Sequence, residues 1–550
     1  MEQKAADLVV RCLENEAVRF VFGIPGEETL AFSDALDRSE QIQFIPVRHE
    51  QGAAFMADMV GRLTGRPGVC LGTLGPGGTN LITGIADATL DRAPLVAFTG
   101  QASLDRAHKE SHQYVDIVDA LQPLTKWNAS IMSPSMIPEA VRKAFRLAQA
   151  EKPGATHLEL PEDVMARPIV GQPLPVRKYP ILAPVEEDFQ RAAEILRQAK
   201  KPLILAGNGI IRSRAHRALR RFAAATGLRV IHTFMGKGVM DARDPSYLFT
   251  AGLRDRDYAH GFLGEIDTVL AIGYDLVEWS PAAWNPDSRI RVVCVDTAPA
   301  ETDSHYCPEV ELIGDMGHIL HRLEELCGAG VVNWNPPDFG AMSRSIIAAH
   351  ANDKGLPVKP QKALYDLREL LSAEDVVISD VGAHKLWASR FYPAYEPNTI
   401  LVSNGLATMG FALPGAIAAR LVLKPSQKIV ALCGDGGFLM NVQELETAKR
   451  LGLQFMVIVW TDSAYGVIEW HQKREIGRVS GTRFNNPDLI KLAEAFGATG
   501  FRVTDAAEHY EVLRKAITTP GISIVEVPID YRENDCLAMT LGDLVKQEGV

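Results

Sequence analysis

Short apolar runs recur along the chain, and each is followed by glycine, proline or aspartate and then by an amphipathic stretch. The runs are VCLGTL (69–74), LVAFTG (95–100), THLELP (156–161), PLILAG (202–207), TVLAIG (268–273), RVVCVD (291–296), DVVISDVG (375–382), KIVALCGDG (428–436) and LQFMVIVW (453–460). Apolar runs without alternation are typical of parallel strands that are buried on both faces. The pattern therefore predicts an α/β fold of doubly wound parallel sheets, with ligands bound at the carboxyl ends of the strands.

Proline-rich stretches divide this pattern into three parts. An extended linker is predicted between Arg167 and Val185, where apolar periodicity is missing and prolines stand at positions 168, 173, 175, 180 and 184. A second zone, from Cys327 to Gln361, is rich in Gly and Pro and encloses a short helical pattern near 343–350. We therefore predict three domains, at residues 1–170, 185–330 and 355–535.

Composition and charge narrow the class of protein. Of the 550 residues, 47% are hydrophobic and 23% are charged, and the formal net charge is −11, which argues against disorder and against nucleic acid as the main partner. No apolar run approaches the ~20 residues of a membrane span, and the N-terminal segment has a mixed, amphipathic pattern unlike a signal peptide. The seven cysteines are scattered without a CxxC spacing, which favours reduced thiols over a zinc site. We expect a cytoplasmic protein that does not bind a membrane.

The strongest chemical signal lies in the third part. A predicted strand ends at Gly434-Asp435-Gly436-Gly437, and the next predicted strand ends at Asp462, 27 positions later, after a helix with Val442, Leu445, Ala448 and Leu451 on one face. This spacing matches one strand–helix–strand unit, so both carboxylates emerge at one sheet edge. Carboxylate oxygens beside a glycine-rich, phosphate-binding turn suit Mg²⁺. The alternative is that Asp435 only caps the following helix.

The GDG motif and the later Asp resemble the thiamine diphosphate motif of the thiamine-dependent 2-oxo-acid enzymes. The resemblance implies that Asp435, Asp462 and the backbone carbonyl of Ala464 bind the metal. Thr461 departs from the family pattern, which has Asn there, but that position is not a metal ligand. The resemblance also implies three domains: a pyrimidine-binding domain, a central domain and a diphosphate-binding domain.

Further motifs of this family follow in the expected order along the chain. They are FGIPGEE, FIPVRHEQGAAFMAD, LGTLGPGGTN, SDVGAHKLW and NGLATMGFALP. The implied cofactor-binding residues are Ile24, Pro25, Gly26, Thr73, Pro76, Asn80, Val381, Gly382, His384, Ala407, Met409, Asp435, Gly436, Gly437, Asp462 and Tyr465.

Two residues carry the implied catalytic geometry. Met409 is the bulky side chain that holds the two rings of the cofactor in a bent shape. Glu50 is the carboxyl group that hydrogen-bonds the pyrimidine ring and favours the imino tautomer, which acts as the base. Taken alone, Glu50 also fits a solvated residue in an RHEQ turn. In this family Glu50 and the Asp435 motif come from different copies of the chain, so a homodimer or homotetramer with an interfacial active site is implied.

Other segments resemble the catabolic acetolactate synthases in particular. They are IGYDLVEWSPAAWN (272–285), VELIGD (310–315), PIDYREN (528–534), HKESHQ (108–113) and QPLTKW (122–127). The implied reaction decarboxylates pyruvate and joins the resulting hydroxyethyl unit to a second pyruvate, giving 2-acetolactate and CO₂. The alternative within the family is a 2-oxo-acid decarboxylase, or a carboligase with another acceptor.

Three positions bear on the acceptor substrate. Gln113 matches the polar residue of the family that binds the acceptor, and the alternative is that it only braces its loop. His471 stands where catabolic acetolactate synthases have Gln, and Leu74 stands where Ser is common. Histidine can donate a hydrogen bond to an acceptor carboxylate, or it can reshape the pocket for a different acceptor.

Other cofactors and other protein classes are less well supported. AGNGII (206–211) contains a GxG but lacks the third glycine of a dinucleotide loop, which argues against an NAD-dependent dehydrogenase. Because the IGYDLVEW stretch resembles the catabolic acetolactate synthases rather than their FAD-containing anabolic relatives, the resemblance implies that FAD is absent. A binding protein with a decayed thiamine site is the remaining alternative, and the presence of both Glu50 and Asp435 argues against it.

Overall fold

Three parallel six-stranded sheets account for all the strands that the described residues form. The computed structural model describes residues 3–177, 182–252, 260–330, 334, 336–539 and 543. The chain divides into two compact units. The first unit comprises Met1–Tyr179, Gly405–Lys424 and Leu439–Leu453, and the second comprises Pro180–Asn404, Pro425–Phe438 and Gln454–Val550.

The first sheet belongs to the first unit, and its strands have the order β2-β1-β3-β4-β6-β5. The strands are β1 (Phe20–Gly23), β2 (Gln43–Pro46), β3 (Gly68–Gly72), β4 (Leu95–Gln101), β5 (Trp127–Ser130) and β6 (Ala155–Pro161).

The other two sheets belong to the second unit. The central sheet consists of β7 (Pro202–Ala206), β8 (Arg229–Thr233), β9 (Tyr247–Ala251), β10 (Thr268–Ile272), β11 (Arg291–Asp296) and β12 (Val310–Ile313), in the order β12-β11-β10-β7-β8-β9. The third sheet consists of β13 (Val376–Ser379), β14 (Ile400–Val402), β15 (Ile429–Gly434), β16 (Phe455–Thr461), β17 (Thr499–Arg502) and β18 (Ile522–Pro528), in the order β14-β13-β15-β16-β18-β17.

Helices connect the strands throughout. The first eight are α1 (Ala5–Asn15), α2 (Leu30–Asp37), α3 (Glu50–Thr64), α4 (Pro76–Asn80), α5 (Ile82–Leu90), α6 (Ile117–Leu121), α7 (Ile137–Gln149) and α8 (Glu162–Met165). The next eight are α9 (Glu186–Gln198), α10 (Gly209–Arg212), α11 (His216–Thr226), α12 (His260–Leu263), α13 (Met316–Cys327), α14 (Phe339–Ala349), α15 (Pro360–Leu370) and α16 (Ala383–Phe391). The last six are α17 (Ala412–Val422), α18 (Asp435–Phe438), α19 (Glu444–Arg450), α20 (Gly466–Glu475), α21 (Leu489–Ala495) and α22 (His509–Thr518).

Short 3-10 helices complete the secondary structure. They span Glu27–Thr29, Leu104–Arg106, Gln122–Leu124, Pro134–Met136, Pro281–Ala283, Ala506–Glu508 and Tyr531–Ala538.

The apolar runs predicted the strands well. Each of the nine runs overlaps one strand, and the α/β fold of parallel sheets is confirmed. The helix after the GDG motif is shorter than its apolar pattern suggests, because α19 covers Glu444–Arg450 and leaves Val442 and Leu451 in the flanking turns. A separate short helix, α18, begins at Asp435 itself.

The predicted linker contains no helix or strand in residues 167–177 and 182–185, apart from an isolated bridge between Pro168 and Lys4. Pro180 lies outside the described residues. The domain boundaries at residues 1–170, 185–330 and 355–535 stay a prediction, since the chain separates into two units rather than three.

The sheets bury their faces under helices. In the first unit the core includes Val69, Phe98 and Leu158 from the strands and Leu8 and Phe145 from the helices.

No helix in the described part of the chain is long and apolar enough to cross a membrane. All seven cysteines have free thiols, and six of them are buried.

The crevice at the carboxyl edge of the central sheet is filled by a side chain of the protein itself. Both carboxylate oxygens of Glu278 accept a hydrogen bond from the backbone N–H of Asn208, in the AGNGII loop, at 3.1 Å. The hydroxyl of Thr233, at the end of β8, donates to the same carboxylate. The loop is also closed against the backbone, because the N–H of Gly209 donates to the carbonyl of Gly273 at 2.8 Å. The N–H of Asn208 in this loop is therefore already engaged by a side chain of the protein.

The buried Glu278 predicts a pH-dependent stability. Burial raises the pKa of Glu278 from 4.5 to about 8. The folded state therefore binds one proton more than the unfolded state between these values, so its stability falls as the pH rises towards 8. Glu278→Gln removes this titration. Between pH 5 and pH 9 we therefore expect the melting temperature of the wild type to fall by at least ~4 °C more than that of the variant. Thermal unfolding followed by circular dichroism at both pH values checks this, and parallel curves for the two proteins would contradict it.

Candidate functional site

Asp435 is the centre of a hydrogen-bonded cluster at the carboxyl edge of the third sheet. It follows β15 directly, and its Oδ1 accepts the N–H of Gly436 at 2.9 Å. Its Oδ2 accepts the N–H of Ser463 at 2.8 Å, the N–H of Asp462 at 3.2 Å and the side-chain amide of Asn486 at 2.7 Å. The predicted meeting of Asp435 and Asp462 at one sheet edge is therefore observed, because β15 and β16 are parallel neighbours.

The loop after β16 turns sharply to present Asp462. Ser463 has φ +57°, a left-handed conformation that is uncommon for residues other than glycine. Its carbonyl accepts the N–H of Phe484 at 3.1 Å, and the N–H of Tyr465 donates to the carbonyl of Thr482 at 2.9 Å. Backbone bonds on both sides hold this turn, so strain at Ser463 is stored beside the predicted ligands Asp462 and Ala464.

The two carboxylates repel each other unless a cation lies between them. Burial, together with the negative charge of Asp435, raises the pKa of Asp462 to about 7. In the described part of the chain no group of three or more His, Cys, Asp and Glu side chains is placed to hold a metal ion. The two carboxylates and a backbone carbonyl leave coordination positions open, and this donor set fits Mg²⁺ shared with a phosphate.

The glycines of the motif keep side chains out of the same edge. A Cβ at Gly437 would lie 2.2 Å from Oδ2 of Asp380, which follows β13, and a Cβ at Gly434 would lie 3.0 Å from the ring of His384. His384 itself is buried, and burial lowers its pKa to about 3, so the ring is neutral. Val381 and Gly382 are half-buried between β13 and the start of α16. The loops after β13 and β15 therefore pack closely at this edge and form a cradle that is lined by glycines, Asp380 and His384.

In the first unit, Glu50 is the first residue of α3 and is buried, with 6% of its surface exposed. Its Oε2 accepts the side-chain amide of Asn80 at 3.0 Å. A Cβ at Gly77 would lie 3.4 Å from its Oε1, so the GPGGTN loop approaches the carboxyl group closely. The structure therefore brings together Glu50 and Asn80, which two separate motifs predict. The alternative, that Glu50 is a solvated residue in the RHEQ turn, is wrong because its side chain is buried.

The IPG turn packs on the same loop. A Cβ at Gly26 would lie 2.2 Å from the hydroxyl oxygen of Thr73, which donates a hydrogen bond to Oε2 of Glu28 at 3.1 Å. Ile24 is half-buried, whereas Pro25 and Pro76 are exposed. Gly77 connects this turn to Glu50, because a Cβ there would lie 2.9 Å from Cγ2 of Thr73 and 3.4 Å from Oε1 of Glu50.

Ala407 and Met409 lie in the loop before α17. Ala407 is exposed with φ +55°, and Met409 is half-buried. The side-chain amide of Asn441 donates to the carbonyl of Gly410 at 2.8 Å, which fixes the end of this loop. The predicted wedge role of Met409 stays a prediction.

The residues predicted to contact substrate have different surroundings. Gln113 is exposed, has φ +57° and packs its backbone against Gly75, whereas Leu74 is fully buried. His471 lies on α20 with its side chain 45% exposed, and its Nδ1 lies 3.2 Å from Oε1 of Glu475. Tyr465, which precedes α20, is 40% exposed, and its ring packs on Phe484.

Two neighbours of Asp435 were missed by the sequence reasoning. Asn486 donates to Asp435, and its own Oδ1 is buried without a hydrogen-bond partner. Tyr531 packs against Gly466 and Trp460, and its hydroxyl is buried beside the backbone of His384. Burial and the carboxylates of Asp462 and Asp435 hold the pKa of Tyr531 well above its usual value. The PIDYREN motif contains Tyr531, but it did not predict that Tyr531 lies beside the Asp435 cluster. No feature of the sequence indicated Asn486.

Comparisons with known families cover all three parts of the chain. Residues 3–120 match "Thiamine pyrophosphate enzyme, N-terminal TPP binding domain", residues 189–323 match its central domain and residues 380–527 match its "C-terminal TPP binding domain". Thiamine pyrophosphate is another name for thiamine diphosphate. Each matched stretch lies within one of the predicted domains.

Curated relatives match over nearly the whole length. The chain is 37% identical to an acetolactate synthase of Bacillus subtilis, over 100% of this chain and 98% of the relative. It is 35% identical to a catabolic acetolactate synthase of Raoultella terrigena, over 97% and 96%. It is 33% identical to a probable acetolactate synthase large subunit of Methanocaldococcus jannaschii, over 96% and 92%.

The glycine-lined cradle with two carboxylates and the buried Glu50–Asn80 pair fall in the two regions that match thiamine pyrophosphate binding domains. The chain belongs to the thiamine pyrophosphate enzyme family, and within it to the group that the acetolactate synthases form.

Proposed function

We propose that the protein is an acetolactate synthase, which decarboxylates pyruvate, joins the remaining two-carbon unit to a second pyruvate and releases 2-acetolactate and CO₂. The observation that carries this proposal is the identity of 37% and 35% to acetolactate synthases over nearly the whole chain. The intact Glu50–Asn80 pair and Asp435 cluster support it, because a decayed site has no reason to retain both.

Thiamine diphosphate and Mg²⁺ are the proposed cofactors. When bound, thiamine diphosphate supplies the carbon nucleophile and the electron sink that decarboxylation of a 2-oxo acid needs. Asp435, Asp462 and the carbonyl of Ala464 would hold the metal, and the cradle formed by Gly382, His384, Gly436 and Gly437 would hold the diphosphate. The raised pKa of Asp462 supports a cation at this point.

Glu50 would hold a proton at the pyrimidine ring. Its carboxyl group is buried and has one oxygen already engaged by Asn80, which orients the other towards a ligand. The pyrimidine ring would be lined by Ile24, Pro25, Gly26, Thr73 and Pro76. Met409 would support the bent shape of the cofactor. The rest of the cofactor pocket would be formed by Ala407, Val381 and Tyr465.

Gln113 and His471 would bind the carboxylate of the acceptor pyruvate. Leu74 would form an apolar wall of the same pocket. Both polar side chains are accessible and both can donate hydrogen bonds. The exposure of His471 also favours a second candidate, a 2-oxo-acid decarboxylase or a carboligase with a larger acceptor, because its side chain has room to move.

Assembly and location are proposed from the family and from the thiols. We propose a homodimer or homotetramer whose active sites combine Glu50 of one copy with the Asp435 cluster of another. The free thiols of all seven cysteines support a reducing, cytoplasmic location. We also propose the three domains at residues 1–170, 185–330 and 355–535.

We further propose that the enzyme works without FAD. The backbone N–H of Asn208, in the AGNGII loop, is already bonded to the buried Glu278 side chain. A dinucleotide phosphate could bind that N–H only by displacing Glu278, so this side chain opposes a dinucleotide at the loop.

Replacement of Glu50 should abolish catalysis without abolishing cofactor binding. Glu50→Gln retains the shape but not the shared proton, so we expect kcat to fall by about 10²–10⁴. The assay measures acetolactate (as acetoin after acid treatment) and acetaldehyde from pyruvate, Mg²⁺ and thiamine diphosphate with no FAD added. Glu40→Gln, at an exposed position of the same unit, is the matched control. Unchanged activity of Glu50→Gln would contradict the assignment, and acetaldehyde without acetolactate from the wild type would favour the decarboxylase.

Replacement of Asp435 should abolish metal-dependent cofactor binding. Asp435→Asn removes a charge from the metal and a strong acceptor from the loop after β16, so we expect the Kd for thiamine diphosphate with Mg²⁺ to rise at least about tenfold. Isothermal titration calorimetry measures this directly. Asp488→Asn, at a helix N-cap of the same unit, is the control and should bind as the wild type does. Equal affinities of the two variants would show that the metal lies elsewhere.

Replacement of His471 should change the product ratio. His471→Ala removes a donor to the acceptor, so we expect the ratio of acetolactate to acetaldehyde to fall about tenfold, whereas His471→Gln retains a donor and should preserve the ratio. Gas chromatography of both products checks this. A ratio that is the same in all three proteins would exclude His471 from the acceptor site.

A further inference from the structure

The carboxylate of Glu444 contacts the backbone that leads into Glu50. Glu444 is the first residue of α19, belongs to the first unit and is fully buried. Its Oε1 accepts the N–H of Arg48 and the N–H of His49, each at 3.0 Å. Its other oxygen, Oε2, accepts the hydroxyl of Thr447 at 2.7 Å. The side chain thus reaches across almost 400 positions of sequence to the two residues that precede Glu50.

The turn before Glu50 is held from both sides. His49 is the N-cap of α3, with φ −156° and ψ 137°, and its Nδ1 accepts the N–H of Gln51 at 3.1 Å. A Cβ at Gly52 would lie 2.9 Å from Oε1 of Glu444, so the first turn of α3 packs directly on the carboxylate. The N–H groups at a helix start have no partner within the helix, and here the Glu444 carboxylate satisfies those just outside it.

We propose that Glu444 is a positioning residue for Glu50. The inference rests on the proposed function, in which Glu50 hydrogen-bonds the pyrimidine ring. By fixing the backbone of Arg48 and His49, Glu444 sets the direction in which α3 begins and therefore the direction in which the Glu50 side chain leaves it. A displacement of about 1 Å at such a residue is enough to cost a large factor in rate.

Glu444 acts through the backbone and not on a ligand. It has no exposed surface, and both of its oxygens accept hydrogen bonds from the protein. Its effect therefore depends on hydrogen-bond acceptance at one oxygen. Glutamine can supply that oxygen, whereas alanine cannot, and aspartate is one methylene too short to keep all the contacts.

Steady-state kinetics on three variants and a control test the inference. We expect Glu444→Ala and Glu444→Asp to lower kcat at least about tenfold with KM for pyruvate within about twofold, and Glu444→Gln to stay within about threefold of the wild type. Glu446→Ala, on the same helix and paired with Arg450 at 3.1 Å, is the control and should leave kcat unchanged. If Glu444→Ala matches the wild type, or Glu444→Gln is as slow as Glu444→Ala, the inference is wrong.

A double-mutant cycle separates positioning from a general loss of stability. If Glu444 acts only through Glu50, then adding Glu444→Ala to Glu50→Gln lowers kcat no further, within about twofold. A further loss of the same size as in the single variant would overturn the inference, because the two residues would then act independently.

Hydrogen exchange of the cofactor-free protein gives a readout without turnover. We expect Glu444→Ala, and Glu444→Asp if the alanine variant does not fold, to exchange the amides of peptides covering residues 46–52 at least about tenfold faster, because Arg48 and His49 lose their acceptor. Glu444→Gln should protect them as the wild type does. Unchanged protection in the alanine and aspartate variants would refute the positioning role. This arm stands even if the wild type makes no acetolactate, so failure of the proposed function and failure of this inference give different results.

Discussion

The Asp435 carboxylate holds the carboxyl edge of the third sheet together. Through hydrogen bonds from Gly436, Asp462, Ser463 and Asn486 it ties the loop after β15 to the loop after β16. A buried carboxylate is tolerated because several donors satisfy it. Burial of the second carboxylate, Asp462, beside the charge of Asp435 raises its pKa, and the arrangement therefore favours a cation.

Helix α3 has a comparable role in the first unit. Glu50 stands at its start, beside the carboxylate of Glu444. In its last turn, Arg62 lies among three buried carboxylates, those of Asp58, Asp87 and Asp91, and its guanidinium stacks over the ring of Phe411. Removing one partner of a buried ion cluster leaves uncompensated charge, so both ends of α3 are held by interactions that tolerate little movement. A rigid helix is a suitable support for a side chain that must meet a cofactor in one orientation.

Much of the site could be predicted, though for different reasons. Asp435 and Asp462 were paired from strand spacing, since parallel neighbours end at the same edge. Glu50 and Asn80 came from two family motifs, and only the fold showed that their side chains form a hydrogen bond. Asn486 and Tyr531 were missed because their contacts with the Asp435 region join distant segments. The bounds of α19 were missed because its apolar spacing continues into the turns that flank it.

The sequence by itself determined the fold class, nine of the strands in the three sheets, the sheet edge at which Asp435 and Asp462 meet, and the family. These depend on local features: uninterrupted apolar runs, glycines at turns and acidic residues at strand ends. The tertiary structure alone decided that the chain forms two units, that Glu278 closes the central crevice and that Glu444 supports the turn before Glu50. Each of these is a contact between segments far apart in the chain. Such contacts depend on how helices and strands pack, and a local pattern of hydrophobic and polar residues does not specify which buried donor meets which buried acceptor.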